Sequence, residues 1–237
     1  MPLRLSIVVP VYNEADNVLP LAEELAAVEA ALGPIEAIFV DDGSTDETPA
    51  RVREAAARYP FVRGLRFPTN QGQSAAMLAG LTAARGEVLV TMDGDLQNNP
   101  ADIARLVEAL READVVCGYR ARRRDSWSRR VASRIGNAVR NRFTHDGVRD
   151  TGCSLKAFRN ECRADLPPLN GVHRFMPAYF RLHGRRVIEL PVDHRPRTRG
   201  ASKYTNLRRL PRTVFDLFGF CWYRSRRLRS PPAEPLT

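Results

Sequence analysis

Short apolar runs alternating with helical stretches constrain this chain more than any other feature. LSIVVPVY (5–12), IEAIFV (35–40), EVLVTM (87–92) and DVVCGYR (114–120) are rich in β-branched residues, and FVRGLRF (61–67) is a weaker member of the series. Runs of this length suit strands buried on both faces. Between them, residues 17–32 carry apolar positions at helical spacing and are stopped by Gly33 and Pro34. PARVREAAARY follows the acidic DDGSTDET, a helix follows NQG, and ADIARLVEALRE follows Pro100. Strands alternating with helices imply an α/β fold: a mostly parallel central sheet flanked by helices on both faces. At 237 residues the chain is long enough for one sizeable core, or one core with an appendage.

Beyond Arg120 the pattern changes. RARRRDSWSRRVASRIGNAVRNRF is arginine-rich and reads as helical from about Ser126. DTGCSLKAFR and RRVIELPVDHR read as later strands, with GVHRFMPAYFRLHG as a helix between them. RPRTRGASKYTN is a basic loop. LRRLPRTVFDLFGFCWYRSRRLRS then reads as a basic, amphipathic helix that Pro211 breaks or opens, and PPAEPLT as a disordered end.

In parallel α/β sheets, ligands bind at the carboxyl ends of the strands. Tyr12-Asn13-Glu14, Asp41-Asp42, Asp93-x-Asp95 and Arg120 all fall at such ends. One polar strand end means little, whereas four point to a shared site. Asp93 and Asp95, with Gln97 two residues further on, present oxygen atoms that suit Mg²⁺ or Mn²⁺. Taken alone, the same residues also fit an acidic turn capping the helix at Pro100. No phosphate loop of the G-x-x-x-x-G-K-[ST] kind, no G-x-G-x-x-G and no G-x-S-x-G is present. His145, His173, His183 and His194 lack triad or zinc spacing and read as surface or core histidines. Cys117, Cys153, Cys162 and Cys221 form no C-x-x-C pair and read as thiols in a reducing compartment.

PVYNE (10–14), DDGSTDET (41–48), NQG (70–72), DGDLQNNP (93–100), DTGCSLKAFR (150–159) and RTRGASKY (197–204) occur in this order. With them the chain resembles a family 2 glycosyltransferase of GT-A fold, of the dolichyl-phosphate mannosyltransferase and polyprenyl-phosphate glycosyltransferase type. The resemblance runs from about residue 5 to 220. It implies a GT-A catalytic domain over 1–205, with 1–120 holding the nucleotide sugar and 121–205 the acceptor. It places Pro10, Tyr12, Glu14 and Asp42 at the nucleotide base and ribose, and Asp93 with Gly94 near the ribose and diphosphate. Asp95 and Gln97 match the metal ligands, and Arg120 an arginine facing the phosphates. Arg129 and Ser133, four apart on one helix face, match the acceptor-phosphate position, where Arg130 is an equal candidate. Arg197, Ser202 and Lys203 match a loop that closes over donor and acceptor phosphates. Asp93, Asp95, Arg120, Arg197 and Lys203 form the implied catalytic set.

The implied reaction moves a sugar from GDP-mannose or a UDP-hexose to a polyprenyl or dolichyl phosphate, with inversion. A hydroxyl acceptor such as a growing glycan is the alternative. The net charge of +10 also raises nucleic acid as a partner, a reading disfavoured by the acidic strand ends. In residues 206–237, arginines flank Phe215, Phe218, Phe220, Trp222 and Tyr223, a pattern suited to lying in a lipid headgroup layer. The alternative is a helix packed on the domain or on a partner protein. The stretch VFDLFGFCWY is short and contains Asp216, so it is not a membrane span. These features predict a peripheral protein at the cytoplasmic face of an anionic membrane, helped by a small membrane-anchoring partner.

Overall fold

The computed structural model describes residues 5–121, 136, 138, 140–196 and 206–228, with tail side chains described from Val214 onward. The strands are β1 (Leu5–Val11), β2 (Ile35–Asp41), β3 (Val62–Arg66), β4 (Val88–Thr91), β5 (Val115–Arg120), β6 (Lys156–Arg159) and β7 (Val187–Val192). The helices are α1 (Ala15–Leu32), α2 (Thr48–Arg58), α3 (Gln73–Ala83), α4 (Asp102–Ala109), α5 (Val172–Leu182) and α6 (Asn206–Arg226). A 3₁₀ segment, Asn160–Asp165, follows β6.

The seven strands form one sheet in the order β3-β2-β1-β4-β6-β5-β7. Pairing is parallel except at β6, which runs antiparallel to both β4 and β5. The sheet is therefore mostly parallel, as the alternating pattern predicts. The strand expected over DTGCSLKAFR is shorter, because Thr151 and Gly152 form a turn, residues 153–155 are irregular and the ladder begins only at Lys156.

Two cores sandwich the sheet, separated by the two-residue period of a strand. Ile7, Val9, Ala37 and Phe39 face α1, α2 and α4, whereas Val8, Ile38 and Val40 face α3 and α5. Both faces of β1 and β2 are thus dry, which is why these strands lack polar alternation.

Pro211 does not break the tail helix, which runs continuously from Asn206 to Arg226. Pro20, Pro177 and Pro211 each occupy the sixth position of their helices. There, the missing N–H deprives only the carbonyl of the second helical residue, at an end where the backbone can tilt to accommodate the ring.

Candidate active site

The chain proceeds from β1 through β2 to β3 on one side and returns to place β4 on the other. Strand order therefore reverses between β1 and β4, and the carboxyl ends of these two strands flank a crevice. Asp93-Gly94-Asp95 emerges from β4 at that point. Gly94 is required there by close approach: a Cβ would stand 2.6 Å from Val11 Cγ1 and 3.4 Å from the Pro10 carbonyl oxygen. Pro10 and Gly94, both expected near the donor, are thus neighbours.

The β1 and β2 loops are laced together. The Asn13 N–H donates to Ser44 Oγ at 2.8 Å, the Thr45 N–H to Asn13 Oδ1 at 2.9 Å, and the Glu14 N–H to Thr48 Oγ1 at 2.8 Å. Asn13 adopts φ 51°, a left-handed conformation that asparagine tolerates. Tyr12 and Glu14 are half-buried, and Glu14 Oε2 accepts from Asn17 Nδ2 at 2.5 Å.

Asp42 is buried, and its carboxylate anchors the NQG loop. It accepts from Asn70 Nδ2 at 3.0 Å, the Gln71 N–H at 2.7 Å and the Gly72 N–H at 2.9 Å. Burial raises its pKa above the ordinary aspartate value, while the two N–H groups oppose that rise. Asp42→Ala is expected to destabilise the protein by about 1–3 kcal/mol through the loss of these charge-assisted bonds. Thermal unfolding checks this, with Asn70→Ala as the milder comparison.

The lead-in to β6 grips the Asp-Gly-Asp turn from the other side. Ser154 Oγ accepts from the Asp93 N–H at 3.1 Å and from Asn98 Nδ2 at 2.8 Å, and Thr91 Oγ1 donates to the Ser154 carbonyl at 2.8 Å. Beyond β7, the Arg195 N–H donates to the Gln97 carbonyl at 2.8 Å and Gln97 Nε2 donates to the Arg195 carbonyl at 3.3 Å. The Gln97 amide is thereby fixed with Oε1 turned away from that carbonyl. Arg195 also reaches Glu24 on α1 at 2.6 Å and Asn99 Oδ1 at 3.0 Å.

At the end of β5, Arg120 makes a bidentate ion pair with Asp150. Nε to Oδ2 and Nη2 to Oδ1 are both 2.7 Å, and the Arg120 N–H donates to Oδ2 at 3.2 Å. The two side chains are 16% and 10% exposed, so this cation is held in place rather than sampling solvent. Lys156 is buried beneath the site, with Nζ donating to the Cys153 carbonyl.

Charge connects these parts. Asp93 is pushed up to about 6, first by burial and then by the neighbouring Asp95 charge; the Ser154 hydrogen bond, Lys156 and Arg120 oppose the rise. Two carboxylates whose mutual repulsion is incompletely offset make a site that a hard cation would stabilise. Among the described residues, no group of three or more His, Cys, Asp or Glu side chains could hold a metal. Two carboxylates and an amide oxygen nevertheless fit an ion that completes its shell with water and substrate phosphate. Burial pushes the Cys117 thiol up to about 12 and Cys162 to about 11, which disqualifies both as thiolate nucleophiles.

A sequence model described as "Glycosyl transferase family 2" matches residues 6–164. The chain belongs to glycosyltransferase family 2. This glycosyltransferase is 39% identical over 228 residues to the dodecaprenyl-phosphate galacturonate synthase of Rhizobium johnstonii, spanning 93% of the chain and 67% of that relative. It is also 39% identical over 216 residues to the undecaprenyl-phosphate 4-deoxy-4-formamido-L-arabinose transferase of Edwardsiella ictaluri, spanning 90% and 66%. The chain thus spans about two thirds of the length of these relatives. Among solved structures, glucosyl-3-phosphoglycerate synthase from Mycobacterium tuberculosis with Mg²⁺ and UDP superposes with TM-score 0.70 at 19% identity, covering 94% of this chain and 79% of that one. Mannosyltransferase PcManGT from Pyrobaculum calidifontis with GDP-Man and Mn²⁺ gives TM-score 0.66 at 22% identity, covering 98% and 68%. The fold of this glycosyltransferase is accordingly GT-A-like.

The described structure therefore gathers Pro10, Gly94, Asp93, Asp95 and Gln97 about the crevice. Asp42 and Glu14 are built into its loop wall, and Arg120 stands within electrostatic reach of Asp93. Arg129, Arg130, Ser133, Arg197, Ser202 and Lys203 lie outside the described residues. Asp150, Ser154 and Lys156 were not expected at the site. A lysine inside an otherwise apolar strand run, in a chain with one other lysine, was the available signal for Lys156.

Proposed function

We propose that this glycosyltransferase moves a sugar from a nucleotide-diphosphate sugar to a polyprenyl phosphate, peripheral to the cytoplasmic face of a membrane. The oxygen-rich Asp93-Gly94-Asp95 turn at the strand-order reversal, backed by Arg120 and Lys156, carries this reading. The donor is GDP-mannose or a UDP-hexose. The choice of acceptor is supported by relatives named for polyprenyl-phosphate substrates. The free thiols of Cys117, Cys153, Cys162 and Cys221 suit the reducing side of that membrane.

Asp95 and Gln97 would hold Mg²⁺ or Mn²⁺, with Asp93 beside them toward the donor. Such an ion, when bound, neutralises charge on the donor diphosphate and acts as a Lewis acid. Pro10, Tyr12, Glu14 and the Asp42-anchored loop would shape the nucleotide wall. Arg120, fixed by Asp150, supplies positive charge where the leaving diphosphate gains negative charge. An acceptor phosphate oxygen attacks the anomeric carbon as the bond to the diphosphate breaks, inverting that carbon. A phosphate monoester has a second pKa of about 6 and is already largely ionised, so it needs no general base. Outside the described residues, Arg129 or Arg130 with Ser133 would receive that phosphate, and Arg197, Ser202 and Lys203 would close over it.

Incubation with radiolabelled nucleotide sugars, Mn²⁺ and polyprenyl phosphate should give an organic-extractable product that mild acid cleaves. Label appearing only in water-soluble or glycan product would instead assign the hydroxyl acceptor.

The tail helix supports the membrane part of the proposal. Phe220 stacks on Phe175 with centroids 6.0 Å apart and meets the Tyr179 edge at 5.1 Å, so one face of α6 is docked on the domain. The other face leaves Phe215 at 78%, Phe218 at 69% and Trp222 at 62% exposure. Arg224 and Arg226 lie beside this stripe in sequence, matching an anionic lipid surface. No helix among the described residues is long and apolar enough to cross a membrane. Replacing Phe215 and Trp222 together by Ser should weaken binding to phosphatidylglycerol vesicles by about tenfold or more. Cosedimentation reads the effect, and substitution is preferable to truncation because removing α6 would uncover Phe175 and Tyr179.

A further inference from the structure

Asp216 is the acid that interrupts the apolar run of the tail helix, and its carboxylate points into the domain rather than toward solvent. Its Oδ2 lies 3.0 Å from Arg174 Nη1, and its side chain is 15% exposed. It also rests directly on Gly171, the residue that precedes α5: a Cβ at residue 171 would stand 2.5 Å from Asp216 Oδ2. Gly171 has φ +83°, so the tight turn and the space for the carboxylate require glycine together.

From that turn the contacts lead to the donor crevice in short steps. The Gly171 N–H donates to Ser74 Oγ at 2.9 Å, and Ser74 Oγ lies 2.7 Å from His173 Nδ1. Ser74 is buried in the first turn of α3. The preceding residue, Gln73, donates from Nε2 to Asp93 Oδ1 at 2.8 Å. The tail helix, the start of α5, the start of α3 and Asp93 are therefore joined by polar contacts, although Ser74 and Gly171 are separated by 97 positions in sequence.

We propose that Asp216 is a positioning residue for the donor site: through Gly171, Arg174 and Ser74 it holds the start of α3, and with it Gln73 against Asp93. Docking of α6 and ordering of the donor crevice are then one linked event. Seating the exposed Phe215, Phe218 and Trp222 stripe on lipid steadies the crevice from outside. This extension to lipid rests on the membrane reading above, whereas the link from Asp216 to α3 does not.

Hydrogen exchange on the whole chain, with and without ligand, tests the link. In the ligand-free Asp216→Ala protein, amides of residues 73–80 should exchange about tenfold faster than in wild type, alongside those of 171–176. The affinity for UDP or GDP with Mn²⁺ should fall about three- to tenfold, since a loosened site must be reordered on binding. Vesicle cosedimentation should not weaken, since the exposed stripe is intact and a negative charge is removed, and Asp216→Glu should recover part of the lost nucleotide affinity. Ser74→Ala severs the path from its other end and should loosen 171–176, which keeps the test available if Asp216→Ala does not fold. Faster exchange confined to 206–228, with residues 73–80 as in wild type, overturns the proposal. Phosphatidylglycerol vesicles should slow exchange at 73–80 in wild type and not in Asp216→Ala. If vesicles fail to bind wild type, the membrane reading falls while the ligand-free comparison still decides the link.

Discussion

Asp95→Ala is expected to abolish the metal-dependent part of nucleotide-sugar binding and to lower kcat by about 10²–10³-fold, the scale of losing a principal charge stabiliser at a leaving group. Asp95 and Asp93 share one turn, and the charge of Asp95 helps raise Asp93 to about 6. Removing Asp95 therefore relieves that repulsion but also removes the acceptor of the Gln97 N–H, which Asp95 Oδ1 holds at 3.2 Å, so the stability of the unliganded protein should change little. This separates a binding role from a structural one. A thermal-shift panel of nucleotide sugars with and without Mn²⁺ makes the comparison. Wild type should be stabilised most by its own donor with metal, by about 2.7 kcal/mol at a hundredfold excess over Kd. Asp95→Ala should lose the increment due to Mn²⁺ while keeping its unliganded melting temperature. A variant that retained the increment would remove Asp95 from the metal site.

Asp150→Ala is expected to act on stability as strongly as Asp95→Ala acts on turnover. It leaves the Arg120 guanidinium, 16% exposed, without its bidentate partner at the end of an interior strand. Breaking such a pair from one side costs about 3–5 kcal/mol, because a desolvated charge is left uncompensated. For a protein of this size that corresponds to a melting temperature lower by about 10 °C or more. Replacing both partners, Arg120→Met with Asp150→Leu, should recover much of the stability, since the pair's desolvation is then avoided as well. The double variant should still lack turnover, because the positive charge near the diphosphate has gone. Urea unfolding of wild type, Arg120→Met alone, Asp150→Leu alone and the double variant gives the coupling directly. Recovery of stability without recovery of activity is the expected outcome.

How much of this was legible beforehand depended on whether the signal was local. The strands LSIVVPVY and IEAIFV announced themselves through runs that are apolar apart from Ser6 and Glu36, since burial on both faces leaves no polar alternation. Asp93, Asp95 and Gln97 could be singled out because their alternate spacing presents oxygen atoms of the kind a hard cation takes. Asp150 was not legible as the partner of Arg120, because nothing in DTGCSLKAFR says which cation it faces across 30 positions. Lys156 stood in plain view as a lysine in a strand, yet its neighbours are set by a ladder to Thr91 and Cys117 that no short motif encodes. Pro211 was expected to open the tail helix and does not, because its place near the helix start limits the loss to one early carbonyl.

By itself, then, the sequence settled the α/β class, the family and the oxygen-rich turn, and pointed to the carboxyl strand ends as the candidate site. Each depends on period, residue chemistry or a short motif, all of which are properties of neighbouring residues. Tertiary structure decided that β6 inserts antiparallel between β4 and β5, carrying Asp150, Ser154 and Lys156 to the crevice. It also decided that Asp42 anchors the loop at 70–72, and that Asp216 turns inward while Phe215 and Trp222 turn outward. These outcomes rest on contacts between distant segments. Close packing and the satisfaction of buried charge select them, and neither requirement can be evaluated until the whole chain is in place.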